Sequence, residues 1–234
     1  MAGAGSRFNI AGYDVPKPFI EFDNKMMIEH VLSGFDKLNA KFILVLQEKF
    51  LTEQSSQLEK LKSNYDVEFV TVPQLTMGAA ITALASHKSI DSQHDIIFAD
   101  SDNIFESSDI QNFISNVRER ELKGALLTFN SDNPCYSYAK VDKNSFLLET
   151  KEKEVISNNA ISGVYYFKDL EDFKNATIDL IVCNDVAKGE FYMSNVYNYL
   201  KRMTSDIGIY QINHFDCVGT PEQLNEYIKR GLNG

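Results

Sequence analysis

The chain has 234 residues, enough for one domain with a sizeable core, and carries 23 Lys and Arg against 33 Asp and Glu, a net charge of −10. That balance disfavours nucleic-acid binding, which draws on Lys and Arg, and confines any phosphate-binding function to a local positive pocket. No apolar stretch is long enough to span a bilayer. The opening residues lack the basic run and apolar core of a secretory leader. Cys135, Cys183 and Cys217 are scattered and odd in number, so neither a disulfide framework nor a zinc spacing is present. His30, His87, His94 and His214 form no metal pattern. A cytoplasmic protein with no membrane partner is expected, and a homo-oligomer stays open.

In chain order, the first segment is a Gly-rich turn, Ala2-Gly3-Ala4-Gly5-Ser6-Arg7, followed by Pro16-Lys17-Pro18. In a doubly wound fold such a turn follows a strand of roughly five residues. That first strand is expected upstream of Met1. Met27, Ile28, Val31, Leu32 and Phe35 repeat at helical spacing, as do Leu58 and Leu61. The runs 41–46, 67–72 and 95–99 are short, apolar and β-rich, which suits strands buried on both faces of a parallel sheet. Residues 78–86 read as a tightly packed helix between the last two. This alternation predicts an α/β, Rossmann-like doubly wound fold with a mostly parallel sheet.

A helix is expected over 108–121 and a strand over 124–129. Segment 130–168 changes character, with strand-like runs at 136–141, 146–150 and 161–167. It reads as a small antiparallel insertion or sheet edge. Helices at 170–182 and 193–203 follow, then a strand at 207–212. Thr220 and Pro221 open the final helix as N-cap and first helical residue. No repeat or linker interrupts the chain, so residues 1–234 read as a single domain.

Three features carry chemistry. Gly3 and Gly5 allow close approach to a phosphate, and successive backbone N–H groups over Ala2, Gly3, Ala4, Gly5 and Ser6 can form an anion-binding nest. Arg7 adds fork-like donors, and Lys17 is held between two prolines. The turn lacks both the dinucleotide fingerprint and the Walker ending. Asp100-Ser101-Asp102 follows the strand at 95–99, and ligands of open α/β sheets bind beyond the carboxyl ends of strands. Taken alone, the run Lys151-Glu152-Lys153-Glu154 reads as a solvated charged face.

Set in order, GAGSRF, PKPFIEF, LTMGAA, ADSDN, KEKEVISNNAISGVYYF, GEFYMSNVYNYL and VGTPEQL resemble the sugar-phosphate nucleotidyltransferases over nearly the whole chain. Capsule- and lipopolysaccharide-associated members are the nearest in pattern. The resemblance implies transfer of an NMP from an NTP to a phosphorylated acceptor, such as a sugar 1-phosphate, with release of pyrophosphate. It implies Mg²⁺ on Asp102. It makes Arg7, Lys17 and Lys153 the charge-stabilising catalytic residues and places the nucleotide on residues 2–6 and Gly78. Glu152, Gly163 and Glu190 fall on the acceptor side. The family's second metal-binding Asp is Cys217 here, with Asp216 displaced by one; Asp216 is the remaining candidate for that place. Two rival readings stay open at this point. One is a glycosyltransferase using Asp100-Ser101-Asp102 as a D-x-D motif, and the other is a nucleotide-binding module without turnover.

Overall fold

The Gly-rich turn leads into a short helix, α1 (Ser6–Ile10), then a 3₁₀ turn (Lys17–Phe19) and a hairpin of β1 (Glu21–Phe22) and β2 (Lys25–Met26). A βαβ stretch follows: α2 (Met27–Ser33), β3 (Phe42–Gln47), α3 (Phe50–Glu53), α4 (Ser55–Asn64), β4 (Val67–Val72), α5 (Ala79–Ala85) and β5 (Ile96–Ala99). The second half contains β6 (Asn103–Ile104), α6 (Ser107–Glu119), β7 (Gly124–Asn130), β8 (Ser137–Val141), β9 (Leu147–Glu152) and β10 (Asn159–Phe167). It ends with α7 (Leu170–Val182), α8 (Met193–Met203), β11 (Ile207–Ile212), β12 (Asp216–Cys217) and α9 (Pro221–Gly231). This computed structural model describes residues 1–3 and 5–231.

The periodic segments of the sequence become these elements within a residue or two, because each had enough apolar residues at one spacing to bury a face. Thr220 caps α9, accepting from Gln223 N at 3.3 Å. The α/β class is borne out. β3 and β4 pair in parallel. The main sheet runs β11-β7-β10-β8-β9, with β5 also on β10. β5 and β7 are both antiparallel to β10, and β11 is parallel to β7, so β5, β7 and β11 run one way with β10 reversed among them. Among the described residues, the β3–β4 pair and the main sheet share no ladder.

One expectation is refined. Segment 130–168 is not wholly an insertion or edge. Only β8 and β9 form the appended antiparallel hairpin, whereas β10 is central and buried along nearly its whole length. Its alternate residues fill two cores. Val164 and Tyr166 pack with α2, α4 and α6 on one face, and Ile161, Tyr165 and Phe167 pack with α5, α7 and α8 on the other. Phe113 and Phe173, each fully buried, anchor the two sides, and each contributes about 1.5–3 kcal/mol of burial. Tyr197 ties α8 to the sheet through Ala125 O at 2.9 Å and Tyr166 O at 2.8 Å. No helix among the described residues is long and apolar enough to cross a membrane.

β10 positions the site. Along one side it bonds β7; along the other it bonds β8 at Ala160 and β5 from Val164 onward. Between those partners the chain carries Gly163, at φ +84°, beside a register shift. The carboxyl end of β5 opens at this split.

Candidate active site

The β5 strand delivers Asp100 and Asp102 to the split in the sheet. Asp100 N donates to Gly163 O at 2.9 Å. A Cβ at Gly163 would run into the Asp100 carboxylate and lie 2.7 Å from Asn103 Nδ2. Gly163 is therefore glycine for two reasons, its left-handed backbone and the acid pressed against it. Asp102 is held from the opposite direction. Its carbonyl accepts from Val218 N at 2.8 Å, and a Cβ at Gly219 would fall 2.7 Å from its Oδ2.

Lys17 reaches this corner from the far side of the chain. Its Nζ lies 2.6 Å from Asp102 Oδ2. The 3₁₀ turn that begins at Lys17 fixes the side chain, with Pro18 and Phe19 buried behind it. The Asp100 carboxylate makes no hydrogen bond or ion pair among the described residues. Burial, and then the neighbouring Asp102 charge, push its carboxyl up to about 7, with Lys17 opposing. Asn103 is 7% exposed; its Nδ2 donates to Ser162 O at 2.9 Å, and its Oδ1 has no partner among the described residues.

A second corner forms at the end of β9. Glu152 is nearly buried and accepts from Ser137 Oγ and from Ser194 Oγ, the latter at 3.0 Å. Lys153 follows at φ +54°, an uncommon conformation for a non-glycine residue. Its Nζ donates to Tyr192 Oη at 3.0 Å, lies 4.9 Å from that ring's centre, and is 3.7 Å from Glu152 Oε1. Burial works to lower the Lys153 pKa, but Tyr192 and then Glu152 hold it above the ordinary lysine value. The two corners feel each other, since the Glu152 charge also contributes to the rise at Asp100.

The remaining sequence candidates fall as follows. Ala2 is buried, and its carbonyl accepts from Gln47 Nε2 at 3.1 Å. Gly5 takes φ +60° and lies over the Lys17 stem, a Cβ there being 3.6 Å from Lys17 Cβ. Gly3, Ser6 and Arg7 are exposed beside it, and Ala4 lies outside the described residues. A cavity of about 230 Å³, lined in part by Gly3, Gly5, Lys17 and Gln47, borders the turn. Gly78 is at φ +118°, and a Cβ there would sit 2.5 Å from Phe191 O. Phe191 N in turn donates to Met77 O at 2.8 Å. Gly78 thus locks the segment before α5 to the segment before α8, the one that carries Tyr192. Glu190 closes a small bridge with Ala187 and is exposed.

Asp216 is not brought to the acid pair. It is held by Arg230 Nη2 at 2.7 Å and His214 Nε2 at 3.1 Å. Successive residues of a strand face opposite sides, so Cys217 is the residue that shares the side of Asp102. Burial first, and then the Asp102 charge, push its thiol up to about 11. The displacement by one residue is enough to turn the carboxylate away. Sequence reasoning also missed Tyr192, Ser137 and Ser194. None of the three carried a local signal, because each finds its partner on a different element of the chain.

The nucleotidyl transferase family matches residues 1–205. The bifunctional protein GlmU of Bacillus subtilis is 24% identical over 99% of this chain and 52% of its own length; that of Methanococcus aeolicus is 22% identical over 99% and 54%. The chain spans about half the length of these curated relatives. In fold it is similar to the nucleoside-diphosphate-sugar pyrophosphorylase of Vibrio cholerae RC9, with a TM-score of 0.86 at 21% identity and 98% coverage of both chains. The inositol-1-phosphate CTP transferase of T. maritima gives a TM-score of 0.78 at 18% identity, covering 98% of this chain and 91% of that one. With a match over most of its length and the acid corner, Lys17 and the Gly-rich turn at one place, the chain belongs to the nucleotidyl transferase family.

Proposed function

We propose that the protein transfers an NMP from an NTP to a phosphorylated small molecule, most simply a sugar 1-phosphate, giving an NDP-sugar and pyrophosphate. The observation that carries this reading is the 2.6 Å pair between Lys17 and Asp102, 85 residues apart, which joins the Gly-rich segment to the carboxylates at the end of β5. The pair thus lies at a sheet's carboxyl edge, where ligands of open α/β folds bind, and this supports the reading.

The residues fit a magnesium ion. Among the described residues, Asp102 has a single ion-pair partner, the Asp100 carboxylate beside it has none, and Asn103 Oδ1 is unpartnered. Among the described residues no three His, Cys, Asp or Glu converge on one point, so a bound magnesium would take its remaining ligands from phosphate oxygens and water, which it accepts. Asp102 would hold the ion, which when bound supplies Lewis-acid charge to the phosphate oxygens. The chain's own residues do the positioning. Lys17 and Lys153 lower the repulsion between two anionic reactants, and Arg7 with the turn at residues 2–6 receives the leaving pyrophosphate. Glu152, rigid between two hydroxyls, accepts from an acceptor hydroxyl. An oxygen of the acceptor phosphate forms the new bond to the α-phosphorus as the bond to the β-phosphate oxygen breaks. That nucleophile is already ionised at neutral pH, so no general base is required.

The free cysteines support a cytoplasmic setting, and supply of nucleotide sugars for surface glycans is part of the same proposal. The test is pyrophosphate release with Mg²⁺, each of four NTPs being paired with a panel of sugar 1-phosphates and other phosphate monoesters. Release that requires one NTP and one acceptor together is expected. Release from no pair, or hydrolysis of a nucleotide-sugar instead, would overturn the reading.

A further inference from the structure

Lys17 pairs with Asp102 and leaves the Asp100 carboxylate without an ion pair among the described residues, and the geometry points to Asp100 as the second carboxylate for a divalent cation shared with Asp102. Asp216 therefore stays with Arg230 and His214 and does not serve the ion.

Four observations support this assignment. Asp100 is fixed by its backbone, N to Gly163 O at 2.9 Å, and its carboxylate is pressed against the Gly163 Cα where no side chain intervenes. No donor among the described residues satisfies it. A carboxylate beside another carboxylate and without a donor is costly unless a cation joins them. Next, the Asn103 amide lies at the same place: a Cβ at Gly163 would touch both Asp100 Oδ2 and Asn103 Nδ2. Asn103 is 7% exposed, and its carbonyl oxygen, a good ligand for a hard cation, is left without a partner. Third, Asp216 already has two nitrogen partners, at 2.7 and 3.1 Å, on the other side of β12. Finally, the residue that does share the side of Asp102 is Cys217, and a thiol suits a hard, oxygen-seeking cation poorly. The chain thus carries an acid two residues before Asp102 where it lacks one at Cys217.

This assignment depends on the nucleotidyl-transfer reading only for the physiological identity of the ion, and its test needs no turnover. Mn²⁺ alone would be titrated into the full chain without nucleotide, with bound ion read from loss of the free-ion EPR signal. Wild type is expected to bind one Mn²⁺. Asp100→Asn should weaken that affinity at least about tenfold, the size of one lost ligand interaction of ~1.4 kcal/mol. Asp216→Asn should stay within about twofold of wild type, again a fold-change on the same affinity scale. Adding Cys217→Asp to Asp100→Asn should restore binding by returning a carboxylate to the side of Asp102. If Asp100→Asn does not fold, as judged by thermal melting, Asp100→Ser serves the same comparison.

Unchanged Mn²⁺ affinity in the folded Asp100 variant overturns the inference. So does a loss at Asp216→Asn equal to that at Asp100, or no Mn²⁺ bound by wild type. A protein that binds Mn²⁺ through Asp100 yet releases no pyrophosphate with any substrate pair would sink the proposed reaction and leave the metal site standing.

Discussion

The corner at the end of β5 and the corner at the end of β9 are built on opposite principles. At β5, charge is left over: among the described residues the Asp100 carboxylate has no ion-pair partner, that of Asp102 has only Lys17, and both acids are held by backbone packing against glycines. At β9, each charge is already answered. Glu152 takes two hydroxyls, and Lys153 lies between Tyr192 and Glu152. In the proposed reaction the first corner would receive positive charge and phosphate. The second is pre-organised to hold a direction, and a ligand there must compete with partners already in place. Burying an unpaired charge costs far more than burying a satisfied one, and that is the physical difference between the two corners.

Removing charge from the β5 corner should do the most harm. Asp102→Asn is expected to lower kcat/KM by about 10²–10³-fold, the size of a lost charge-stabilising group, with the circular dichroism spectrum unchanged. Wild-type turnover would move the reaction away from β5. At β9 the loss should be smaller and one-sided. Tyr192→Phe removes one hydrogen bond from Lys153, of about 0.5–1.5 kcal/mol, and is expected to raise the acceptor KM by roughly 2–12-fold with the NTP KM unchanged. An equal change in both would make Lys153 a shared contact and blur the distinction between the corners.

Two stability measurements sharpen the comparison further. Gly78→Ala should destabilise by about 1–3 kcal/mol, read by urea denaturation, because φ +118° is strained for alanine and the new Cβ meets Phe191 O. Gly3→Ala, where nothing lies within 4 Å, is the control and should leave the midpoint unmoved. The smallest effect concerns Asp95, where β5 begins. Burial works to raise its pKa, but Lys168 at 2.7 Å and Arg118 at 3.2 Å hold it below the ordinary aspartate value. A depressed carboxyl stabilises the fold above its unfolded pKa and loses that contribution as pH falls through the folded value. Wild type should therefore exceed Asp95→Asn by about 1 kcal/mol near neutrality. The two curves should begin to converge as pH falls below about 4, where the unfolded carboxyl takes up its proton, and meet once the folded carboxyl is protonated in turn. A gap that persists under acid would assign the effect to packing.

Much of this molecule was legible in one dimension. The strands at β3, β4 and β5, the helices from α4 to α9 and the Thr220 cap follow from spacing alone, because an element that buries one face must repeat its apolar residues at its own period. Asp102, Lys17 and Gly163 were singled out through the order of motifs along the chain, and the structure brings them to one corner. β10 was harder to place. A buried run reads alike at the centre of a sheet and at its edge, and its pairing with β7 on one side and with β5 and β8 on the other was set by strands distant in sequence.

What the sequence by itself determined is therefore the set of elements, the α/β class and the residue types available for chemistry. Which of those residues meet was decided by the tertiary structure alone. Lys17 finds Asp102 across 85 residues, and Lys153 finds Tyr192 across 39. Asp216, one residue from the expected position, points instead to Arg230. The reason is geometric: a shift of one residue along a strand reverses the side chain's face, and electrostatic partners are chosen by the few ångströms between them in space and not by their distance along the chain.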